Sequence, residues 1–443
     1  MPKNIHEIRD PIHVFVRLDN HERKVLNSRP FQRLRHIHEL ALTYLVYPGA
    51  THKRFEHSLG VMELASRVFD VVTNPDHVTD EIRNSLHPLG NRDERQYWRR
   101  ALRMAALCHD IGHLPFSHAA EKELLPPNWD HERLTQAIIA CDEMKDIWNS
   151  VTPPLRHEDI MKLAVGTKKM KDSQFSDWEA ILSEIIVGDA FGVDRIDYLL
   201  RDSHHIGVAY GKFDHYRLID TLRILPTPSA GEDGAGGEPA LGVEEGGLQS
   251  AEALMLARYF MYSQVYFHPI RRIYDIHLID FFREWLDGSV FSTNLEEFLR
   301  LTDNEVTAAL LDVASHQGKA GYLHARRIVH REHFKLVYER NPNDTKINPE
   351  AGESVFKTLQ GQFGENKFRH DRYRQKGGAP DFPVRMRHGQ IVSSLAVSET
   401  LNNVPVVSVD YVFAERSVFK EAKEWLSKNL QEVIKPKEEV DNG

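Results

Sequence analysis

Hydrophobic residues recur every three or four positions in several stretches of this chain, and some of these stretches also carry histidine. After a turn at Tyr47-Pro48-Gly49, a helix is expected to start near Thr51. Its apolar side holds His57, Val61, Leu64, Val68 and Val72, spaced four, three, four and four residues apart. Because this spacing keeps one face of a helix toward the interior, the pattern predicts that His57 is buried with the apolar side chains.

The stretch from Leu107 to His118 reads Leu-Cys-His-Asp-Ile-Gly-His-Leu-Pro-Phe-Ser-His and predicts a second helix of this kind. Its apolar stripe is formed by Leu102, Ala106, His109 and His113, and Pro115 should end it. Asp110 lies about 100° round such a helix from His109, so both side chains could reach one ion beside the helix. A lone His-Asp pair is commonly a surface pair, but four ionisable groups within ten residues favour a metal-bound phosphohydrolase centre.

A third helical pattern, within residues 177–205, supplies a further carboxylate. One face would carry Asp194, Tyr198, Asp202 and His205, spaced four, four and three residues apart. Asp197 and Arg201 form a separate i,i+4 pair, which we interpret as structural. The candidate metal ligands are then His57, His109, Asp110 and Asp194. Imidazole nitrogen and carboxylate oxygen suit Zn, Fe, Mn, Ni or Co, whereas Mg and Ca prefer sites made mainly of oxygen.

The remaining patterns predict a mainly α fold. Extended chain is expected over 4–18, helices over 21–42, 250–290, 295–316, 321–338 and 415–430, and short strands over 382–413. We interpret residues 74–100 and 340–380 as polar connections, residues 226–250 as a flexible insertion, and the charged tail as disordered. The organisation that follows is an all-helical core over 1–345 and a smaller α+β part over 346–443.

Composition and charge limit the classes of protein to consider. With 443 residues, of which 41% are hydrophobic, the chain can bury a sizeable core. Its net charge of −9 argues against a protein that mainly coats nucleic acid or an anionic membrane. Two cysteines, Cys108 and Cys141, cannot form a disulfide framework or a Cys-rich zinc site. No segment approaches about 18 uninterrupted apolar residues, and no signal-like run opens the chain, so we expect a cytoplasmic protein without a membrane span.

Four motifs resemble those of the HD-domain dNTP triphosphohydrolases, a family that includes bacterial dGTPase-like proteins and the animal sterile-alpha-motif HD enzyme. They are Asp10-Pro11-Ile12-His13, Pro30-Phe31-Gln32-Arg33-Leu34-Arg35, the stretch from Pro48 to Gly60, and Cys108-His109-Asp110-Ile111-Gly112-His113. The resemblance covers roughly residues 5–345 and is strongest over 5–135 and 185–210. It implies an HD helical core, hydrolysis of a dNTP to a deoxynucleoside and inorganic triphosphate, and a homo-oligomer.

The resemblance also implies roles for individual residues. Proton transfer would involve His113, His131 and Glu132. Substrate contacts would come from Glu39, Leu40, Arg54, His118, Arg195, Tyr198, Asp202 and His268. The cofactor would be a divalent transition metal on the four ligands named above, and Mg could accompany the substrate phosphates. Water would attack the α-phosphate while Arg54 and the ion hold it.

Two other classes of function stay open at this point. A phosphatase or phosphodiesterase of the same superfamily, acting on nucleoside monophosphates or cyclic nucleotides, would use the same ion. A nucleic-acid-binding subunit of a complex is suggested by a locally basic stretch, for which a solvated loop is the simpler interpretation. The cations of that stretch are Lys367, Arg369, Arg372, Arg374, Lys376, Arg385 and Arg387.

Overall fold

The computed structural model describes residues 5–117, 121–228, 237–374 and 378–435, and it divides into two compact units. The first unit comprises Met1–Met261, Phe291–Val306 and Gly377–Pro405, and the second comprises Tyr262–Val290, Thr307–Lys376 and Val406–Gly443. The chain passes between the units several times, so this division differs from the single boundary near residue 345 that we expected. One reason is that strands between residues 383 and 393, beyond that boundary, pair with strands of the first unit.

Helices make up most of the described chain, which confirms the mainly α prediction. In chain order they are α1 Asn20–Asn27, α2 Arg29–Arg33, α3 Arg54–Val72, α4 Asp80–Ser85, α5 Arg92–Cys108, α6 Glu121–Leu124, α7 His131–Ile139, α8 Asp142–Asn149, α9 His157–Val165, α10 Asp177–Val187, α11 Val193–Ile206, α12 His215–Thr221, α13 Leu248–Met261, α14 Pro269–Trp285, α15 Leu295–Phe298, α16 Asp303–Ala314, α17 Tyr322–Val329, α18 Pro342–Ile347, α19 Ala351–Phe363, α20 Ser394–Val397, α21 Glu399–Asn402 and α22 Arg416–Val433. Within the described ranges, none of these helices combines the length and apolar character needed to span a membrane.

Small sheets accompany the helices in both units. The strands are β1 Ile5–Asp10, β2 Val14–Asp19, β3 Leu222–Pro226, β4 Pro239–Glu244, β5 Lys335–Glu339, β6 Phe368–Arg374, β7 Pro383–Arg385, β8 Ile391–Ser393 and β9 Ser408–Ala414. In the first unit, β1 and β2 form an antiparallel hairpin, and a second sheet has the order β3-β4-β7-β8, with β4 and β7 parallel. In the second unit, β9 lies between β5 and β6 and pairs antiparallel with both.

The core of the first unit fixes α3, α5 and α11, the helices that carry the candidate ligands. α3 packs against α5 and α11. Its stripe is buried, as the spacing predicts, and consists of His57, Val61, Leu64, Val68 and Val72. The helix begins at Arg54, where Glu56 Oε1 accepts a hydrogen bond from the backbone N–H of Lys53 at 2.8 Å. α11 ends before Gly207, whose φ of 82° gives the left-handed C-cap that favours glycine.

The second unit is built on its sheet, against which α19 and α22 pack. Its apolar core includes Val355 and Leu359 from α19, Val412 from β9, and Ala422 and Leu426 from α22. The sheet therefore gains its stability from helices of the C-terminal part of the chain, as expected for an α+β arrangement.

Some predicted elements near the site are wrong, because residues that begin or end helices override the apolar pattern. The helix expected over 21–42 is broken into α1 and α2, since Ser28 is extended and Pro30 cannot continue a helix from before it. Its last part is replaced by short 3-10 turns at Leu34–His36 and Ala41–Leu45. α5 begins at Arg92, inside the polar connection expected over 74–100, and ends at Cys108. His113 therefore lies in the turns after α5 and not on its stripe. Gly112 lies so close to α7 that a Cβ atom there would overlap backbone atoms of that helix.

Several C-terminal predictions are also wrong. Residues 340–380 contain α18, α19 and β6 as well as connections, and β5 replaces the end of the helix expected over 321–338. Gly352 weakens the helical signal of α19, but its missing Cβ lets that helix approach Asp410 of β9 closely. Pro405 lies before β9, which is the central strand of its sheet. The ends of the insertion at 226–250 are ordered, because β4 pairs with β3 and α13 begins at Leu248.

Candidate metal centre

Four side chains bring nitrogen and oxygen donors to one place in the first unit. His57 lies in the first turn of α3, His109 and Asp110 directly follow α5, and Asp194 lies in the first turn of α11. His57 Nε2 is 3.0 Å from Asp194 Oδ1 and 3.7 Å from Asp110 Oδ2. His109 Nε2 is 3.5 Å from Asp194 Oδ1 and 3.4 Å from Asp110 Oδ1.

These distances fit a metal ion shared by His57, His109 and Asp194, whose donor atoms all lie within 4.8 Å of one another. Asp110 adjoins this group, with one oxygen toward His57 and the other toward His109. Donors that lie about 2.1 Å from one ion at tetrahedral angles are about 3.4 Å apart, which is close to the spacing of these nitrogen and oxygen atoms. Among the described residues, buried His109 Nε2 has no hydrogen-bond partner. A buried nitrogen of this kind is costly unless a ligand satisfies it. The donor set therefore fits a divalent transition metal, and an ion of this class that takes five or six ligands would keep positions for other ligands.

The second nitrogen of each imidazole is already hydrogen-bonded, which orients the ring. His57 Nδ1 lies 2.8 Å from Asp197 Oδ2, and His109 Nδ1 lies 2.8 Å from the carbonyl oxygen of Ala106. Carbonyl and ionised carboxylate oxygens can only accept, so each Nδ1 carries the hydrogen. In its neutral form each ring consequently has its lone pair on Nε2, which faces the cluster, and this is the tautomer that a metal ion requires.

The electrostatics of the cluster favour ionised oxygen ligands. Burial alone would raise the pKa of Asp110, but His109 and Arg54 outweigh it and hold that pKa well below its usual range. Burial is likewise outweighed at Asp194, where the neighbouring His109 and His57 lower the pKa. For His57, burial favours the neutral ring, yet Glu39 and the neighbouring aspartates raise its pKa well above the usual value. Because a metal ion needs the neutral ring, binding at His57 would release a proton.

A buried arginine lies beside these donors. The Arg54 side chain is only 3% exposed, and its Nη1 contacts the carboxylates of Asp110 and Glu39. Its Nε donates to Ser117 Oγ at 2.9 Å. Glu39 Oε2 is buried without a hydrogen-bond partner among the described residues, and the next residue, Leu40, is buried as an apolar neighbour. The cluster therefore adjoins a fixed cation suited to phosphate oxygens and an unused acceptor.

A stacked histidine pair adjoins Asp110. His113 Nε2 is 3.2 Å from Asp110 Oδ1, and the His113 ring stacks on His131 with centroids 4.1 Å apart. His131 Nδ1 hydrogen-bonds to Glu121 Oε1 at 2.5 Å and lies 3.2 Å from a Glu132 oxygen. Three residues for which proton transfer was expected therefore lie together, and Glu121 joins them.

The two stacked rings favour opposite protonation states. Burial, the Arg54 charge and His131 lower the pKa of His113 well below its usual value. Burial also acts against a charge on His131, but the hydrogen bond to Glu121 outweighs it and raises the pKa of His131. The other carboxylate of this group, Glu132, accepts from Lys169 Nζ at 2.7 Å. The pKa shifts therefore run in opposite directions, toward the neutral ring at His113 and toward the cationic ring at His131.

Two further predicted residues lie on α11 beyond Asp194. Tyr198 is half-buried and lies one turn after Asp194. Asp202 is buried, and its Oδ1 accepts from His52 Nε2 at 2.7 Å. The His52 ring in turn stacks on His205, with centroids 4.5 Å apart. Asp202 therefore has an internal partner that the sequence did not reveal.

The structure gives partners for two of the three remaining predicted residues. Arg195 Nη1 donates to the carbonyl oxygen of Gly188 at 2.9 Å and to the carbonyl oxygen of the next residue. His268 belongs to the second unit, where it caps α14 and its Nδ1 accepts from the backbone N–H of Ile270 at 3.2 Å. His118 lies outside the described residues.

Comparison with known proteins identifies the family. Residues 54–199 match the HD domain, and residues 213–352 match the HD associated region. The uncharacterized protein YwfO of Bacillus subtilis is 30% identical over 355 residues, which cover 76% of this chain and 72% of that protein. The chain belongs to the HD-domain family. This confirms the resemblance inferred from the motifs.

Other relatives extend the comparison of this HD-domain protein. The crystal structure of a hypothetical protein from Aquifex aeolicus is 31% identical, with a TM-score of 0.73, and the match covers 95% of this chain and 100% of that one. The deoxynucleoside triphosphate triphosphohydrolase SAMHD1 of Gallus gallus is 28% identical over 413 residues, which cover 85% of this chain but only 62% of that protein. The candidate ligands lie within the matched HD domain, which supports a phosphohydrolase that uses a divalent metal.

Sequence reasoning missed Glu121 and Asp197. Glu121 lies ten residues before His131, in a separate short helix, so helical spacing contains no signal for their contact. For Asp197, the i,i+4 spacing reveals only Arg201, while its contacts with His57 and His13 join residues 140 and 184 positions apart. Only the folded chain brings these groups together.

Proposed function

We propose that this HD-domain protein hydrolyses deoxynucleoside triphosphates to a deoxynucleoside and inorganic triphosphate, with a divalent transition metal held by His57, His109, Asp110 and Asp194. The observation that carries the proposal is the position of buried Arg54, which contacts both Asp110 and Glu39. A cation for phosphate oxygens and an acceptor for a hydroxyl group therefore adjoin one metal-binding cluster. Similarity to the deoxynucleoside triphosphate triphosphohydrolase SAMHD1 of Gallus gallus supports this substrate class.

In the proposed reaction, Arg54 binds oxygens of the α-phosphate and holds the phosphorus for attack by water. The bond between the α-phosphorus and O5′ breaks, the water oxygen stays on the triphosphate, the water loses a proton and O5′ gains one. His113, whose pKa shift favours the neutral ring, is assigned to accept the first proton, and His131, whose pKa shift favours the cationic ring, is assigned to supply the second. When bound, the metal ion would supply a Lewis acid that polarises the phosphoryl group.

Sugar selection is proposed to depend on Glu39 and Tyr198. Glu39 Oε2 is a buried acceptor without a partner among the described side chains, and a 3′-hydroxyl would satisfy it. Tyr198 lies on α11 one turn beyond Asp194, where it would crowd the 2′-hydroxyl of a ribose. Deoxyribose with an intact 3′-hydroxyl is therefore the expected sugar.

Activity assays with purified protein test this proposal. The four dNTPs, the four rNTPs, deoxynucleoside monophosphates and cyclic nucleotides would each be incubated with Mn²⁺ or Co²⁺, and products would be separated by chromatography. We expect deoxynucleoside to be released from dNTPs, with loss of activity in chelator and in His109→Ala. His87→Ala is the matched control, because that histidine side chain is 83% exposed and lies outside the cluster. Hydrolysis of monophosphates or cyclic nucleotides, with dNTPs left intact, would contradict the proposal.

The basic stretch does not favour a nucleic-acid-binding function. Its described cations are mostly paired within their own unit, so little positive charge is left for phosphates. The pairs are Lys367 with Glu415, Arg369 with Asp280, Arg372 with Glu350, Arg385 with Glu244 and Arg387 with Glu245. Lys376 lies outside the described residues.

A further inference from the structure

Asp197, on α11, is a fully buried carboxylate that accepts from three other buried side chains. Its Oδ2 is 2.8 Å from His57 Nδ1 and 2.8 Å from Arg201 Nε. Its Oδ1 is 2.6 Å from His13 Nε2 and 3.0 Å from Arg201 Nη2. Both oxygens are therefore used twice, and each contact joins the carboxylate to a donor.

The contact with His57 affects the metal centre because it determines which ring nitrogen is available. An ionised carboxylate holds a hydrogen on Nδ1, so Nε2, which is 3.0 Å from Asp194 Oδ1, is the nitrogen whose lone pair becomes available when the ring is neutral. The same contact fixes the plane of the imidazole ring. Partners of this kind orient metal-binding histidines and raise their basicity.

The other contacts connect Asp197 to the N-terminal hairpin. His13 lies at the turn between β1 and β2. Arg201 Nη1 donates to Asp10 Oδ2 at 2.9 Å, and Asp10 Oδ1 accepts from the backbone N–H of His13 at 2.8 Å. Gly60 of α3 completes the cluster, because a Cβ atom there would overlap both Asp197 and Arg201. The carboxylate is consequently held from three sides.

We propose that Asp197 is a positioning residue for the metal, and that His13 and Arg201 hold it in place. This inference rests on the proposed metal-dependent function. It replaces the interpretation of Asp197 and Arg201 as a merely structural pair. It also makes the N-terminal hairpin a determinant of metal affinity, since His13 reaches the ligand His57 through a single carboxylate.

Equilibrium titration of the metal-free, full-length protein with Co²⁺ tests the proposal. Asp197→Asn should weaken Co²⁺ binding about 10- to 100-fold and alter the visible absorption of bound Co²⁺, because an amide group cannot replace both acceptor oxygens. Asp159→Asn is the matched control. Asp159 is also buried, but it accepts from the Tyr97 hydroxyl at 2.6 Å and contacts none of the candidate ligands. This control should bind Co²⁺ with wild-type affinity and spectrum.

A second variant decides the outcome if Asp197→Asn does not fold. His13→Ala removes one of the donors to Asp197 without touching His57, and its Co²⁺ affinity should lie between those of the wild type and Asp197→Asn. Wild-type affinity and spectrum in either folded variant would overturn the proposal. A wild-type protein that binds Co²⁺ but does not hydrolyse dNTPs would count against the proposed function alone. A wild-type protein that binds no metal would overturn both.

Discussion

Asp194→Asn should abolish most of the metal-dependent stabilisation of the protein. The substitution preserves the shape of the side chain, and that side chain is 34% exposed, so the metal-free fold should change little. Removing a residue that hydrogen-bonds to a metal ligand already weakens metal binding about 10- to 100-fold. Removing a ligand itself should weaken metal binding by more than about 100-fold. Metal at 100 times the wild-type Kd would stabilise the wild type by about 2.7 kcal/mol, but the variant by only about 0.4 kcal/mol.

The difference is large enough to measure by thermal unfolding. At roughly 1 °C per kcal/mol for a chain of 443 residues, the wild-type Tm should rise by about 3 °C on adding Mn²⁺ or Co²⁺, and the Asp194→Asn Tm by less than about 0.5 °C. Asp189→Asn is the matched control, because its side chain is 56% exposed, contacts Lys168, and precedes α11. An equal metal-induced rise of Tm in Asp194→Asn and Asp189→Asn would refute Asp194 as a ligand.

Three further predictions concern the surroundings of the site. Glu121→Gln should lower the pKa of His131. Because the cationic ring is lost as pH rises through that pKa, the alkaline limb of the pH–rate profile should move to lower pH. An unchanged profile would argue against His131 as the acid. Dideoxynucleoside triphosphates should react about 5- to 150-fold more slowly than dNTPs, because Glu39 Oε2 would lose its donor at a cost of about 1–3 kcal/mol; equal rates would exclude that contact. Deleting residues 229–236 leaves Thr227, whose backbone N–H donates to the Glu238 carbonyl oxygen, and Glu238 in place. The deletion should lower the free energy of unfolding, measured in urea, by no more than about 1 kcal/mol. A larger decrease would show that this segment stabilises the fold.

The four candidate ligands could be predicted from the sequence because their helical neighbours are strongly patterned. The apolar spacing of α3 determines which side of the helix is buried, and His57 shares that side. Asp194 occupies a comparable position on α11, and the prediction did not depend on its distant partners. His109 and Asp110 are adjacent in the sequence and directly follow α5, so predicting them as ligands required only that the end of α5 lie near α3 and α11.

The environment of these residues could not be predicted in the same way. His113 was assigned to a helical stripe, but α5 ends at Cys108, and the following segment packs closely against α7 at Gly112. Glu121 and Asp197 acquire their roles from residues that are distant in sequence or lie on separate elements. In the second unit, the charged strand β6 lacks a clear alternation of polar and apolar residues, so its pairing with β9 was not visible.

Hydrolysis of a dNTP in ¹⁸O-labelled water tests the central claim most directly, because it identifies the bond that breaks. Attack on the α-phosphorus, with Arg54 holding the phosphate, predicts a deoxynucleoside without label and an inorganic triphosphate that carries one ¹⁸O atom. Mass spectrometry of both products would detect this distribution. Formation of a deoxynucleoside monophosphate and pyrophosphate, stepwise release of phosphate, or label in the deoxynucleoside would contradict the account.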